Sequence, residues 1–441
     1  MLQRINGKVS RACQLLGDAD SKVLFPKTLE FSAPARGTWN IVHTGMLVPE
    51  AHQIYICAAG CLRGVILTAA EMGAANRFST IELLEKDLLR TDNEKLIIEG
   101  VSDILTSLPK LPPAVLLFTA CFHHFMGTNL NYVYSRLRQK FPTVDFAECI
   151  MDPIRQSKSI TPEERERREI YRLWRKLPLQ EKQCNILSSN LPLDESSDII
   201  QLLKKAGYKI YDMPRLKTYT EFLSMASSRL NIYTNPFGHK AALDLKRRHQ
   251  QSFIFMPQLW NYDEIAANNT KLANMLDVAP LNHTEHIALC QQKLHELKDL
   301  IGNVEIAIDM TVTFCPFSLA KLLLTNGFNV TKIYSDAVSA DDKSNFLFLQ
   351  ENYPYIELWS TKNPDERILS RPPSNILCLG QKAAYFNNSP YFIEYIDGGG
   401  HYGFDGIIRL ADDMQRAFLT PKDTRKIISK KANGGPCCYE P

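Results

Sequence analysis

Three cysteines stand where a strand would hand over to a helix: Cys57 and Cys61 in the run ICAAGC, and Cys121 in LLFTACFHH. The thiolate is the form that binds iron or zinc. It is favoured at a helix N-terminus, where unpaired backbone N–H groups and the helix dipole stabilise negative charge. The AAGC turn opens a stretch of helical periodicity, which makes Cys61 the best-placed ligand, with Cys121 next. The C-x3-C spacing of Cys57 and Cys61 carries little weight alone, because zinc and iron–sulfur runs use other spacings. Buried, inert thiols are the alternative for most of the eleven cysteines. His123 and His124 follow Cys121 and could ligate or relay protons, although solvent-facing loop histidines are the simpler reading. Cys437 and Cys438, adjacent near the C-terminal end, receive no role.

The elements that must position these residues follow one grammar: a short β-branched run, a turn of small residues, then an amphipathic stretch of helical length. That pattern predicts an α/β fold with parallel sheets flanked by helices. In the first third, 52–57 and 114–121 are predicted strands, 62–72 and 130–141 predicted helices, FHHFMGTN a loop, and 144–149 a closing strand. The charge-dense segment 161–183 predicts a solvated surface helix leading into a linker. A second unit has strands at 185–188, 208–211 and 230–233, helices at 198–206 and 240–249, and the loop TNPFGH between. A third has strands at 304–309, 330–334, 375–379 and 391–395, a helix at 317–325 ended by Gly327, the run Gly398-Gly399-Gly400, and a last helix at 406–419. Three consecutive units result, with boundaries at 1–155, 156–290 and 291–420 and a basic, Gly/Pro-broken tail at 421–441 expected to be poorly ordered. In such sheets ligands collect outside the carboxyl ends of the strands, where Cys57, Cys61 and Cys121 fall.

Composition narrows the function classes. With 45% hydrophobic and 22% charged residues the chain reads as an ordinary globular protein, and a net charge of +3 does not suggest nucleic-acid binding. No signal peptide or membrane span is recognisable, and the scattered cysteines fit a reducing compartment, so a cytoplasmic protein is expected. There is no G-x-G-x-x-G after the first strand, no G-x-x-x-x-G-K-[ST], no G-x-S-x-G and no H-E-x-x-H, and hence no recognisable nucleotide site.

In order along the chain stand ICAAGC before a helix, LEKDLLRTDNEKLIIEGVSDIL, LLFTACFHHFMGTNLNYV and, near the other end, GGGHYGFDGIIRLADDM. The first three resemble the cluster-binding half of the nitrogenase component 1 superfamily, where a Gly-Cys turn, an acidic Gly-bearing segment and a later cysteine recur in this order. The last is similar to that family's Tyr-His-Gly-Phe-Asp-Gly segment and the helix after it. The resemblance runs from about Ser32 to Leu419. It implies three Rossmann-like domains and pairing with a paralogous or identical component 1 subunit. It also implies an iron–sulfur cluster of 4Fe-4S type at the subunit interface, and electrons from a separate ATP-hydrolysing iron-protein reductase. By position Cys61 and Cys121 correspond to family ligands, Ser32 falls where the first family cysteine stands, and Cys57 is a reserve. The family's active-site thiolate falls near Asn235, which has no sulfur, and its imidazole falls at Tyr402, with His401 one place early. The resemblance therefore implies a nitrogenase-like oxidoreductase acting on a small molecule other than dinitrogen, in a cleft lined by His401, Tyr402 and Asp405. The alternative is a catalytically inert cofactor-assembly scaffold or regulatory subunit of the same fold.

Overall fold

The computed structural model describes residues 12–26, 28–31, 33, 35, 40–89, 92–151, 160–187 and 190–424 of the chain. Ser32, Cys437, Cys438 and all but the first four residues of the expected tail lie outside them. In chain order the elements begin with β1 (Cys13–Leu15), α1 (Ile41–Met46), β2 (His52–Cys57), α2 (Ala59–Glu71), β3 (Phe78–Glu82), α3 (Asn93–Ser107) and β4 (Ala114–Ala120). Then come α4 (Cys121–Phe125), α5 (Leu130–Lys140), β5 (Asp145–Met151), α6 (Pro162–Tyr171), β6 (Gln180–Leu187), α7 (Asp198–Lys205), β7 (Lys209–Asp212) and α8 (Tyr219–Ser224). The middle of the chain continues with β8 (Ser228–Tyr233), α9 (His239–His249), β9 (Ser252–Phe255), α10 (Tyr262–Met275), α11 (His283–Ile301), β10 (Glu305–Asp309) and α12 (Pro316–Thr325). The last are β11 (Asn329–Tyr334), α13 (Lys343–Asn352), β12 (Glu357–Trp359), β13 (Leu377–Leu379), α14 (Gln381–Asn387), β14 (Phe392–Ile393) and α15 (Gly403–Leu419).

The described chain forms two compact units, one holding residues 39–192 and 207–257, the other 12–38, 193–206 and 258–424. The first unit contains two four-stranded parallel sheets, ordered β3-β2-β4-β5 and β7-β6-β8-β9. β2 and β4 are buried along their whole length, which is why they read as continuous apolar runs rather than alternating ones. Alternation still decides which face each residue serves. Ile54, Ile56, Val115 and Leu117 pack with Ile97, Val101 and Leu105 of α3 and Val133 and Leu137 of α5. Tyr55, Cys57, Leu116 and Phe118 face the other way, and the Tyr55 and Phe118 rings stack at 4.1 Å. Each such fully buried side chain contributes roughly 1.5–3 kcal/mol.

The segment expected to be a solvated surface helix is a correction. α6 begins on a Thr161/Glu164 capping box and buries Glu166, Arg167, Glu169, Ile170 and Tyr171. Its charges are paired: Glu169 accepts from Arg168 and Arg172, and Asp244 of α9 accepts from Arg172 and Arg248. Ile170, Tyr171 and Trp174 join side chains of both sheets in one core, so α6 acts as the mortar of this unit.

The second unit is built on a six-stranded sheet, β1-β12-β11-β10-β13-β14, parallel except for β1, which runs antiparallel to β12 at the edge. Expected helix starts move by up to three residues, α2 to Ala59 and α15 to Gly403, and the loop after β4 opens with the short helix α4. Among the described residues no helix is long and apolar enough to cross a membrane.

Candidate functional site

Each sheet has one place where successive connections leave in opposite directions, and a crevice opens there at the carboxyl ends of the two central strands. In the first sheet β2 connects outward to β3, the chain then crosses back to β4, and the crevice lies past β2 and β4. Ile56 is in register with Thr119, so Cys57 ends one wall and Cys121 follows the other. Cys57 is fully buried, and burial, followed by the charges of Cys61 and Cys121, pushes its thiol up to about 12. Cys57 therefore resists ionisation, chiefly through its burial.

Cys61 is exposed and sits in the first turn of α2. That N-terminus has no side-chain cap: Ala58 occupies the cap position, and added methyl groups at Gly60 and Gly64 would meet only open space. Cys121 is half-buried and is the first residue of α4. All nine described cysteines are free thiols, six of them buried. Among the described residues no three His, Cys, Asp or Glu side chains are grouped closely enough to hold a metal ion. The donor set therefore fits a partial site, two accessible thiols on adjacent helix starts, and not a complete metal centre within one chain.

The histidines beside Cys121 divide. His124 is exposed, as expected of a loop residue, but His123 is buried, which corrects the solvent-facing reading. Its Nδ1 accepts from the Ala120 backbone N–H at 3.2 Å, burial lowers its pKa to about 4, and Nε2 has no partner among the described residues. In the second sheet the corresponding loop, after β8, holds Asn235. This residue is buried, and its side-chain oxygen accepts from Phe237 N–H at 2.9 Å to start a turn.

The other cleft candidates lie in the second unit. Gly398, Gly399 and Gly400 have φ of 89°, 65° and 89°, a left-handed run that no other residue type follows without strain. It delivers His401 between two carboxylates: Nδ1 bonds Asp194, and Nε2 lies 3.6 Å from Asp413. Asp413 also accepts from the Tyr395 hydroxyl and pairs with Arg416. Tyr402 is buried at the cap of α15, while Asp405 accepts from Ser196 Oγ at 2.8 Å and stands 3.7 Å from Arg409. His401 is thus held by carboxylates, and Asp405 serves the first turn of α15.

Sequence reasoning passed over three aspartates that close helix starts in this unit. Asp342 accepts from Phe317 and Ser318 N–H at 2.8 Å each, Asp309 from Ala383 N–H at 2.8 Å, and Asp198 from Phe404 N–H at 2.9 Å. Burial raises the pKa of each, and the backbone donors oppose that rise. The one available signal was Asp309 at the end of an apolar run.

Parallel sheets flanked by helices, with the Cys61 and Cys121 thiols at the carboxyl edge of the first, define an open-sheet α/β protein. The sequence matches the family described as nitrogenase component 1 type oxidoreductase over residues 43–419, and the chain belongs to that family. Two solved structures share the fold. "Nitrogenase Cp1 at pH 6.5" has a TM-score of 0.64 and 12% identity, covering 92% of this chain and 96% of that one. "Nitrogenase Cp1 at pH 5" has a TM-score of 0.54 and 11% identity, covering 93% and 94%. No curated protein matches the sequence.

Proposed function

We propose that the chain is a nitrogenase-like component 1 subunit: an iron–sulfur oxidoreductase that takes electrons from an ATP-dependent iron-protein reductase and passes them to a small molecule other than dinitrogen. The observation that carries this is the pair Cys61 and Cys121, accessible thiols at the starts of neighbouring helices on one sheet edge. They would hold a 4Fe-4S type cluster together with cysteines of a paralogous or identical subunit, Cys57 remaining a reserve disfavoured by its burial. Such a cluster supplies one-electron transfer. The chain's own residues contribute the rest: the uncapped N–H end of α2 faces the position a cluster would take at Cys61, and the buried Tyr55, Cys57 and Phe118 beneath exclude water. The reading takes the three sheets as three Rossmann-like domains divided near residues 155 and 290, with His401, Tyr402 and Asp405 as cleft residues, in a cytoplasmic protein that binds no nucleotide itself.

The test is anaerobic purification with a co-expressed partner subunit, followed by iron and sulfide analysis and electron paramagnetic resonance. Cluster signals that fall more than about tenfold in Cys61→Ala and Cys121→Ala support the reading. An iron-free complex sinks it.

A second reading, an inert assembly scaffold or regulatory subunit, is favoured by Asn235, an amide that caps a turn, and by His401, tied to Asp194. Under that reading Cys61→Ala leaves partner binding intact and no reductase activity is there to lose.

A further inference from the structure

Where α6 and α9 end, four arginines meet two carboxylates. Arg168 and Arg172 both donate to Glu169. Arg172, Arg247 and Arg248 all converge on Asp244: Arg172 Nε lies 3.5 Å and Arg248 Nε 2.7 Å from Oδ2, and Arg247 Nη2 lies 2.7 Å from Oδ1. The Asp244 side chain is only 5% exposed, whereas those of Arg172 and Arg247 are 40% and 75% exposed, so the carboxylate lies beneath and the guanidiniums above it. Burial works to raise the Asp244 pKa, but the hydrogen bonds from Arg248, Arg247 and Arg172 hold it below the ordinary aspartate value. An ionised, buried anchor thus draws three guanidiniums together at the surface.

The cluster has charge and donors to spare. Four arginines on two carboxylates leave two positive charges, of which the carbonyl end of α9 offsets about half of one. Each guanidinium carries five N–H donors. Arg172 Nη2, Arg247 Nε and Nη1, and Arg248 Nη1 have no hydrogen-bond partner among the described residues. Planar guanidinium forks take the oxygens of an oxyanion two at a time. A carboxylate would neutralise one of the two charges. A phosphomonoester, at about −1.5 to −2 near neutral pH, matches both and brings three acceptor oxygens to the free donors.

We propose that Arg172, Arg247 and Arg248, gathered by Asp244, bind the phosphate of a small phosphomonoester. The exposure of Arg172 and Arg247 leaves room for the ester's substituent on the solvent side. The site lies within the first unit, uses none of the cysteines and stands whether or not the chain holds a cluster.

Isothermal titration calorimetry of the full chain at pH 8 with glycerol 2-phosphate tests it, against inorganic phosphate and against methyl sulfate, a tetrahedral anion of single charge. Glycerol 2-phosphate is expected to bind, inorganic phosphate to bind within about tenfold of it, and methyl sulfate to bind at least about tenfold more weakly, the loss of one charge-assisted interaction. Arg247→Gln should weaken glycerol 2-phosphate about tenfold, and Arg63→Gln, which removes an exposed arginine of α2, should leave it unchanged. Both positions are exposed, and thermal melting confirms that each variant folds. No heat with glycerol 2-phosphate at millimolar concentration overturns the proposal, as does binding of inorganic phosphate alone, equal affinity for methyl sulfate, or equal losses in the two variants.

Discussion

The carboxyl edges past β2/β4 and past β10/β13 are built on the same topology and end in opposite states. Past β10 and β13, Ile308 is in register with Leu379, so Asp309 meets Gly380, and the Asp309 carboxylate fills the crevice and takes the N–H of Ala383. Past β2 and β4 no side chain caps α2, and two accessible thiols stand at the helix starts. A helix N-terminus attracts negative charge in either case. What differs is whether the chain supplies that charge from its own core, as Asp309 does; under the proposed function the first edge leaves it to a ligand.

The two edges should differ most at Gly380. A Cβ there would lie 2.0 Å from the Asp309 carboxylate oxygen, at φ of 111°. Gly380→Ala is expected to cost about 4 kcal/mol by backbone strain and by expelling the cap, read as the urea midpoint. The matching Gly60→Ala in α2, where nothing lies within 4 Å, should change stability little or even raise it by up to about 1 kcal/mol. If the two changes prove equal, the second edge is not self-filled. Next in size comes Asp198→Ala, which strips the donors of Phe404 and Asp405 and the Asn269 amide of their acceptor and should cost about 3 kcal/mol.

Glu166, a carboxyl of α6, is buried without a hydrogen-bond partner for either oxygen among the described residues. Burial holds its pKa well above the ordinary glutamate value, with Arg167 opposing the shift. The unfolded chain ionises this group above about pH 4.5 while the folded chain keeps it protonated, so the group's contribution is present at low pH and lost as pH rises towards the folded pKa. Glu166→Gln should therefore gain stability relative to the native chain as pH goes from 5 to 8, by about 1–2 kcal/mol in chemical denaturation. A flat difference across that range would mean that Arg167 keeps Glu166 ionised.

These residues also show where sequence reasoning stopped. β2, β4 and the end of β10 were legible because a buried parallel strand writes itself as an unbroken apolar run, and Cys61 and Cys121 were legible because the turn that follows such a run is local. β1 was not, since a three-residue strand owes its existence to β12, more than three hundred positions away. α6 misled because Glu166, Arg167 and Glu169 look solvated until Asn190, Asp244 and the core around Tyr171 are assembled about them. His123 misled in the same way: its burial depends on how α4 packs after β4, and the two residues His123 and His124 are identical in composition and opposite in environment.

The smallest effect on stability is the most informative about function. Cys61→Ala removes an exposed side chain from the first turn of α2, where alanine is a good helix former, and should shift the stability of the metal-free protein by less than about 0.5 kcal/mol. Cys57→Ala, at a fully buried position packed with Leu116 and Phe118, should cost about 1–2 kcal/mol. Under anaerobic reconstitution with the partner subunit the order should invert, Cys61→Ala losing the cluster and Cys57→Ala retaining it. A cluster that survives Cys61→Ala but not Cys57→Ala would move the ligand one turn back, to the thiol that burial holds protonated, and the open edge would then owe its accessible cysteine to something other than metal.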